Sequence, residues 1–107
     1  MGRAGVRTTG MASPRFYRIS SRASDSRVAD ETVILHLGSD TYFGLDPVGT
    51  VIWEGLRQGL STDAILERLT ARFAGTEPAR IAQDMEAFLA DLLAHDIIEP
   101  GPADDGS

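Results

Sequence analysis

The chain has 107 residues and no cysteine, so one small domain with tails is expected, and disulfides, thiolate metal sites and a cysteine nucleophile are excluded. Its net charge of −6 is unevenly spread: residues 1–27 carry six arginines against the single acid Asp25, whereas the remainder carries four arginines against fifteen acids, a balance that disfavours binding to nucleic-acid phosphates. No run approaches the ~18 consecutive apolar residues of a membrane span, and the N-terminus lacks the apolar core of a signal peptide, so a soluble cytoplasmic protein with no membrane partner is expected.

Residues 1–15 mix Gly, Arg, Thr and Ser without apolar spacing and read as a disordered tail. Met11 is an alternative start. All ten basic residues are arginine, as a GC-rich genome would produce. Phe16, Tyr17 and Ile19 are expected to dock on the body. Arg27-Val28-Ala29 reads as a short strand and Asp30-Glu31 as a polar turn. Thr32 to Leu37 is rich in β-branched residues and reads as a second strand with Val33, Leu35 and Leu37 on its buried face. Gly38-Ser39-Asp40 supplies hairpin chemistry, returning Thr41 to Leu45 as a third, antiparallel strand.

Asp46 then caps a helix that begins at Pro47, buries Val48, Val51, Ile52 and Leu56, and stops at Gln58-Gly59. Ser61-Thr62-Asp63 caps a second helix with an apolar stripe of Ile65, Leu66, Leu69 and Phe73. Thr76 is expected to cap a third, with Pro78 in its first turn and Ile81, Met85, Phe88, Leu89, Leu92 and Leu93 on a broad apolar face, ending near His95. Ile97-Ile98 and Pro100 close the domain at about residue 99, and residues 100–107 read as a second disordered tail. The order implies an α+β fold, a three-stranded antiparallel sheet followed by three helices, over residues 16–99.

Catalytic chemistry is sparse. His36 falls mid-strand, where alternation turns it to solvent, and His95 falls where a helix C-terminus favours a cation or a carbonyl partner. Two histidines in unrelated elements do not make a metal site. Asp84, Glu86 and Asp91 read as a solvated helix face. Gly44 and Gly49 lack the spacing and lysine of a phosphate loop; they read as a bend or a close backbone approach in the strand and as close packing in a helix's first turn. Trp53 reads as a core anchor. No cofactor is implied.

Binding remains. The last strand of a three-stranded meander has one partner, and its other edge can pair with an extended peptide. With the third helix beside that edge, Tyr42 to Leu45 and residues such as Met85 and Phe88 would line a groove. The edge can equally be covered by the N-terminal segment or a twin subunit.

These residues carry a resemblance. Val33-Ile34-Leu35-His36-Leu37, Tyr42 through Gly49, and Ile52-Trp53 resemble the PqqD-like family, as do Gly59-Leu60-Ser61 with Ile65 and Leu69, and Asp84 to Leu89 with Leu92. The chain departs from the family at Asp46-Pro47-Val48, where many members have Asn, a polar residue and Thr; the cap and helix start are kept. The resemblance covers residues 16–99. It implies a winged-helix-like recognition element for ribosomally made, modified peptides. Such an element, without catalysis, captures the leader segment of a precursor as an added strand between the third strand and third helix, which the resemblance places on Thr41, Tyr42, Phe43, Gly44 and Leu45 as the peptide edge and on Arg80, Asp84, Met85 and Phe88 as the helix wall. It then delivers the leader to a modifying enzyme, here a lasso-peptide leader protease and cyclase. The family alternative is a chaperone for a radical enzyme in quinone-cofactor synthesis. Outside the family, a winged-helix DNA-binding regulator would need basic residues on the third helix, which offers only Arg80.

Overall fold

The computed structural model describes residues 15–101; the two expected tails lie almost wholly outside them. Strand β1 (Phe16–Ile19) is followed by β2 (Ala23–Val28), β3 (Glu31–His36) and β4 (Tyr42–Leu45), then helices α1 (Pro47–Arg57), α2 (Thr62–Arg72) and α3 (Pro78–Ala94), and strand β5 (Ile98–Gly101). The expected antiparallel sheet is present, in the order β2-β3-β4. Its first strand is longer than the sequence indicated. The turn falls at Ala29-Asp30, with Ala29 in the left-handed region at φ 58°, and Glu31 already pairs with Val28.

Residues 16–19 do more than dock. They pair antiparallel with β5 from Phe16–Gly101 to Ile19–Ile98, so a second, two-stranded sheet ties the two ends of the fold together. Arg15 extends this clasp: its amide donates to Thr62 Oγ1 and its carbonyl accepts from the Thr62 N–H. Its guanidinium pairs with Glu86, a hydrogen bond that raises the already high Arg15 pKa.

The faces of β3 are the reverse of those expected. Thr32, Ile34 and His36 point inward and are buried, while Leu35 and Leu37 are exposed. The alternation weighed Val33, Leu35 and Leu37 against a face containing threonine and histidine. What decides the matter is that Ile34 joins the core with Leu45, while the polar atoms of His36 find partners at the turn and beyond it. Leu35 (37% exposed), Leu37 (58%), Val28 (58%) and Tyr42 (66%) therefore leave an apolar outer surface.

The helices follow their sequence signals closely. Asp46 Oδ1 accepts from the Gly49 N–H at 2.7 Å, capping α1. At its other end Gly59 takes φ 78°, the Gly59 N–H bonds Leu56 O and the Leu60 N–H bonds Gly55 O. This double closure needs a left-handed residue after the cap, and glycine adopts that conformation without strain. Ser61 Oγ caps α2 through the Ala64 N–H. Thr76 does not cap α3. The helix begins at Pro78 with Glu77 as its cap residue and no side-chain cap bond, because proline at the first helical position sets the boundary one residue later than the threonine suggests.

The core gathers Ile34 and Leu45 from the sheet, Val51, Ile52, Trp53 and Leu56 from α1, Ile65 and Leu69 from α2, Ile81, Met85, Leu89 and Leu92 from α3, and Ile97-Ile98. Trp53 anchors it as expected, 1% exposed. Its indole N–H donates to Asp25 Oδ2 at 3.0 Å, and the same carboxylate oxygen lies 3.4 Å from Arg57. Thus β2 is bound to α1 by a polar contact at the margin of an apolar cluster.

Candidate functional site

The register of β3 with β4 fixes which backbone groups of β4 are free. His36 donates its N–H to Thr41 O at 2.8 Å, and the pairs continue Leu35–Tyr42, Ile34–Phe43, Val33–Gly44, Thr32–Leu45. In an antiparallel ladder, hydrogen-bonded pairs recur every second residue. Phe43 and Leu45 therefore turn their N–H and C=O groups toward β3, as Thr41 does its C=O, and Tyr42 and Gly44 turn theirs outward. Among the described residues no strand pairs with that outer edge.

The side chains alternate accordingly. Leu45 is buried in the core, and half-buried Phe43 meets the His95 ring edge-to-face at a centroid distance of 5.2 Å. Tyr42 and Gly44 are exposed. A Cβ at Gly44 would meet only Glu31 Oε1, at 4.0 Å, so this glycine leaves room above the strand and is not a site of close packing. Gly49 is one: a Cβ there would sit 3.2 Å from Asp46 Oδ1 and 3.5 Å from Phe88 Cζ.

Where β4 passes into α1, a cavity of about 330 Å³ opens against α3, lined by Asp46, Val48, Gly49, Ile52, Asp84, Ala87, Phe88 and Asp91. Of the helix residues expected to form the wall, Asp84 and Phe88 line this cavity. Arg80 does not line it; it is exposed, 3.9 Å from Asp84 at i,i+4 spacing. Met85 does not take part: it is 2% exposed and belongs to the core, since the apolar stripe of a helix and its groove-facing edge are neighbouring but distinct. Val48, Gly49 and Asp91 were not anticipated. Helical spacing held the signal for Asp91, because 84, 88 and 91 share one stripe. A larger cavity of about 660 Å³ lies on the other face of α1, lined by both charges, including Arg27, Glu54, Arg68 and Arg72; it faces away from α3.

His95 Nδ1 lies 2.9 Å from Asp91 O, the helix-end partner its position suggested. His36 departs from expectation. Its Nε2 lies 3.1 Å from Asp96 Oδ2, and its Nδ1 accepts from the N–H groups of Gly38 and Ser39, each at 3.1 Å. Ser39 Oγ is also 3.1 Å from Nδ1, a serine, histidine and aspartate in line. The ring nitrogen that a nucleophile would need is occupied by two backbone donors, so this is turn architecture. Among the described residues no three His, Asp or Glu side chains cluster to hold a metal, and no helix is long and apolar enough to cross a membrane.

The solved structure of TbiB1 in complex with the TbiA(beta) leader peptide is similar to this chain with a TM-score of 0.70 and 34% identity, covering 81% of this chain and 99% of TbiB1. A lasso peptide synthetase B1 complexed with the leader peptide matches with the same TM-score at 21% identity, covering 78% and 98% of the two chains, a likeness of fold. No curated protein matches. Residues 31–98, from the start of β3 to the start of β5, match the model for coenzyme PQQ synthesis protein D, and this span contains the open strand, all three helices and the cavity between them: the chain belongs to the PqqD family.

Proposed function

We propose that this protein is a non-catalytic adaptor of the cytoplasm that captures the leader segment of a ribosomally made precursor peptide by strand addition to β4. It delivers that leader to a modifying enzyme, with a lasso-peptide leader protease and cyclase as the best fit. The observation that carries the reading is the open edge, where the N–H and C=O groups of Tyr42 and Gly44 face away from β3. An extended chain pairing there gains main-chain hydrogen bonds, and its alternate side chains fall on opposite faces. One set would lie against Phe88, Val48 and the rest of the cavity beside α3; the other would extend the apolar outer surface that holds Tyr42 and Leu35. The likeness to TbiB1, solved in complex with a leader peptide, favours a leader peptide as the ligand.

The proposed docking residues are Thr41, Tyr42, Phe43, Gly44 and Leu45 through the strand, with Phe88, Asp84 and Arg80 on the helix side. The family description, a coenzyme PQQ synthesis protein, supports a second reading as a chaperone for a radical enzyme acting on a different precursor. Duplex DNA is a poor partner: the only base on α3, Arg80, already faces Asp84. Fluorescence anisotropy with labelled leader peptides from precursor genes beside this one tests the proposal and separates the two readings. Binding at micromolar concentration or tighter is expected; no binding by any neighbouring leader overturns it.

A further inference from the structure

We infer that His36 is the positioning residue of the β4 edge and that it holds that edge against the end of α3 only while its ring is neutral. The use of the edge for a leader rests on the function proposed above; the clamp itself is read from contacts within the chain. Backbone N–H groups can only donate, and two of them, from Gly38 and Ser39, converge on Nδ1 at 3.1 Å. Nδ1 must therefore be bare, and the ring proton sits on Nε2, directed at Asp96 Oδ2 3.1 Å away. One side chain, 5% exposed, thus ties the β3–β4 turn to the α3–β5 loop. The neighbouring His95 of that loop holds Phe43 of β4, so two adjacent loop residues grip both strands of the hairpin.

Protonation changes this arrangement in one place. A proton on Nδ1 would face two N–H donors, and both turn amides would lose their acceptor. The turn is short and taut: Asp40, in the left-handed region at φ 60°, donates its N–H to His36 O, and the His36 N–H donates to Thr41 O. The Ser39 and Thr41 hydroxyls lie 2.8 Å apart. Any opening therefore passes directly to Tyr42, the first outward-facing residue of the edge. The charged and titratable groups around the ring are Asp96 from the α3–β5 loop; Arg22 from the β1–β2 connection, whose side chain lies against Gly38; Asp40 in the turn; and His95 beyond Asp96.

The test is NMR on the full chain labelled with 15N, without ligand, as pH is lowered across the range in which histidines titrate, about 8 to 5. Long-range imidazole spectra are expected to show His36 protonated at Nε2 alone at the upper limit. The amides of Gly38, Ser39, Tyr42 and Gly44 should then shift with the His36 midpoint rather than with that of His95, which its own ring resonances report. In His36→Asn, the side-chain oxygen can accept the turn amides as Nδ1 does and cannot titrate, so these linked shifts should vanish with the turn retained. Affinity for a leader peptide bound at neutral pH should fall at least fivefold by about pH 5.5 in the wild type and less than twofold in His36→Asn. The inference is overturned if Nδ1 carries the proton at pH 8, if His36 stays neutral to pH 5, or if the Tyr42 and Gly44 amides ignore its titration. Unchanged leader affinity across a His36 titration also sinks it and leaves leader binding intact. Linked amide shifts without binding of any leader support the clamp and count against the proposed function alone.

Discussion

Replacing Gly44 with proline separates the edge of β4 from the rest of the fold. The Gly44 N–H points away from β3, so proline deletes no hydrogen bond of the native sheet, and an edge position is where a strand tolerates it. A side chain there meets nothing closer than Glu31 Oε1 at 4.0 Å, so crowding is slight, and the restricted unfolded chain offsets part of any strain. The melting temperature should stay within a few degrees of wild type. An incoming strand, by contrast, loses one N–H donor and keeps a carbonyl without a partner. The lost bond is worth about 1 kcal/mol and the stranded acceptor about as much again, so leader affinity should fall roughly tenfold to thirtyfold, at 1.4 kcal/mol per decade. Gly44→Ala keeps the N–H and should bind within about twofold of wild type. Phe43→Pro removes a donor that faces β3 and should destabilise the fold itself, by about 1–3 kcal/mol in chemical denaturation. Wild-type affinity in a folded Gly44→Pro protein, measured by anisotropy against the same leader, would refute strand addition at this edge.

Phe88→Ala, on the cavity wall, should weaken leader binding about tenfold with a smaller loss of stability, whereas Met85→Ala one turn away should lower stability by about 2–5 kcal/mol, because Met85 lies in the core; equal effects on binding would return Met85 to the wall. Gly55→Ala should destabilise by about 1–3 kcal/mol in urea despite the better helix propensity of alanine, since its Cβ would come within 2.7 Å of Ile65 Cγ1; a gain in stability would show that the α1–α2 contact relaxes freely. Asp25→Ala should cost about 1–3 kcal/mol by thermal melting and change the emission of Trp53, whose indole N–H it leaves without a partner. An unchanged melt would mean that water replaces the carboxylate.

The helices were legible because each carries its own punctuation. Asp46 with Pro47, Gly59, and Ser61 act over one turn, so neighbouring residues suffice to identify them. The open strand was legible for a similar reason: a β-β-β order with a short hairpin leaves its last member unpaired. What the sequence hid depends on distant partners. Alternation in β3 named two faces and hydropathy chose the wrong one, because the partner that makes His36 an inward residue is Asp96, sixty positions away. The pairing of β1 with β5 joins opposite ends of the fold, and neither strand has a hairpin turn to announce it. Asp25 looked like one acid in a basic segment until Trp53 and Arg57 converged on it. On α3, Asp84 and Phe88 line the cavity while Met85 lies in the core, a boundary that only packing draws.

The size of β4 also limits how a leader can be held. Two outward residues, Tyr42 and Gly44, offer two N–H and two C=O groups, so the ladder supplies at most about four hydrogen bonds, or roughly 4 kcal/mol at about 1 kcal/mol each. Alone that corresponds to a dissociation constant of about 1 mM. Micromolar binding needs roughly 4 kcal/mol more, equivalent to about 160 Å² of apolar surface removed from water at ~25 cal/mol per Å², and the entropy lost on association makes this a lower bound. Such an area is one or two large apolar side chains, which fits a cavity of about 330 Å³ walled by Val48, Ile52 and Phe88. The backbone edge would then set direction and register, and the α1–α3 cavity would decide which leader stays. On the proposed function, selectivity would belong to Phe88 and its neighbours, and a leader stripped of the apolar side chain that enters beside them should bind no better than an arbitrary extended peptide.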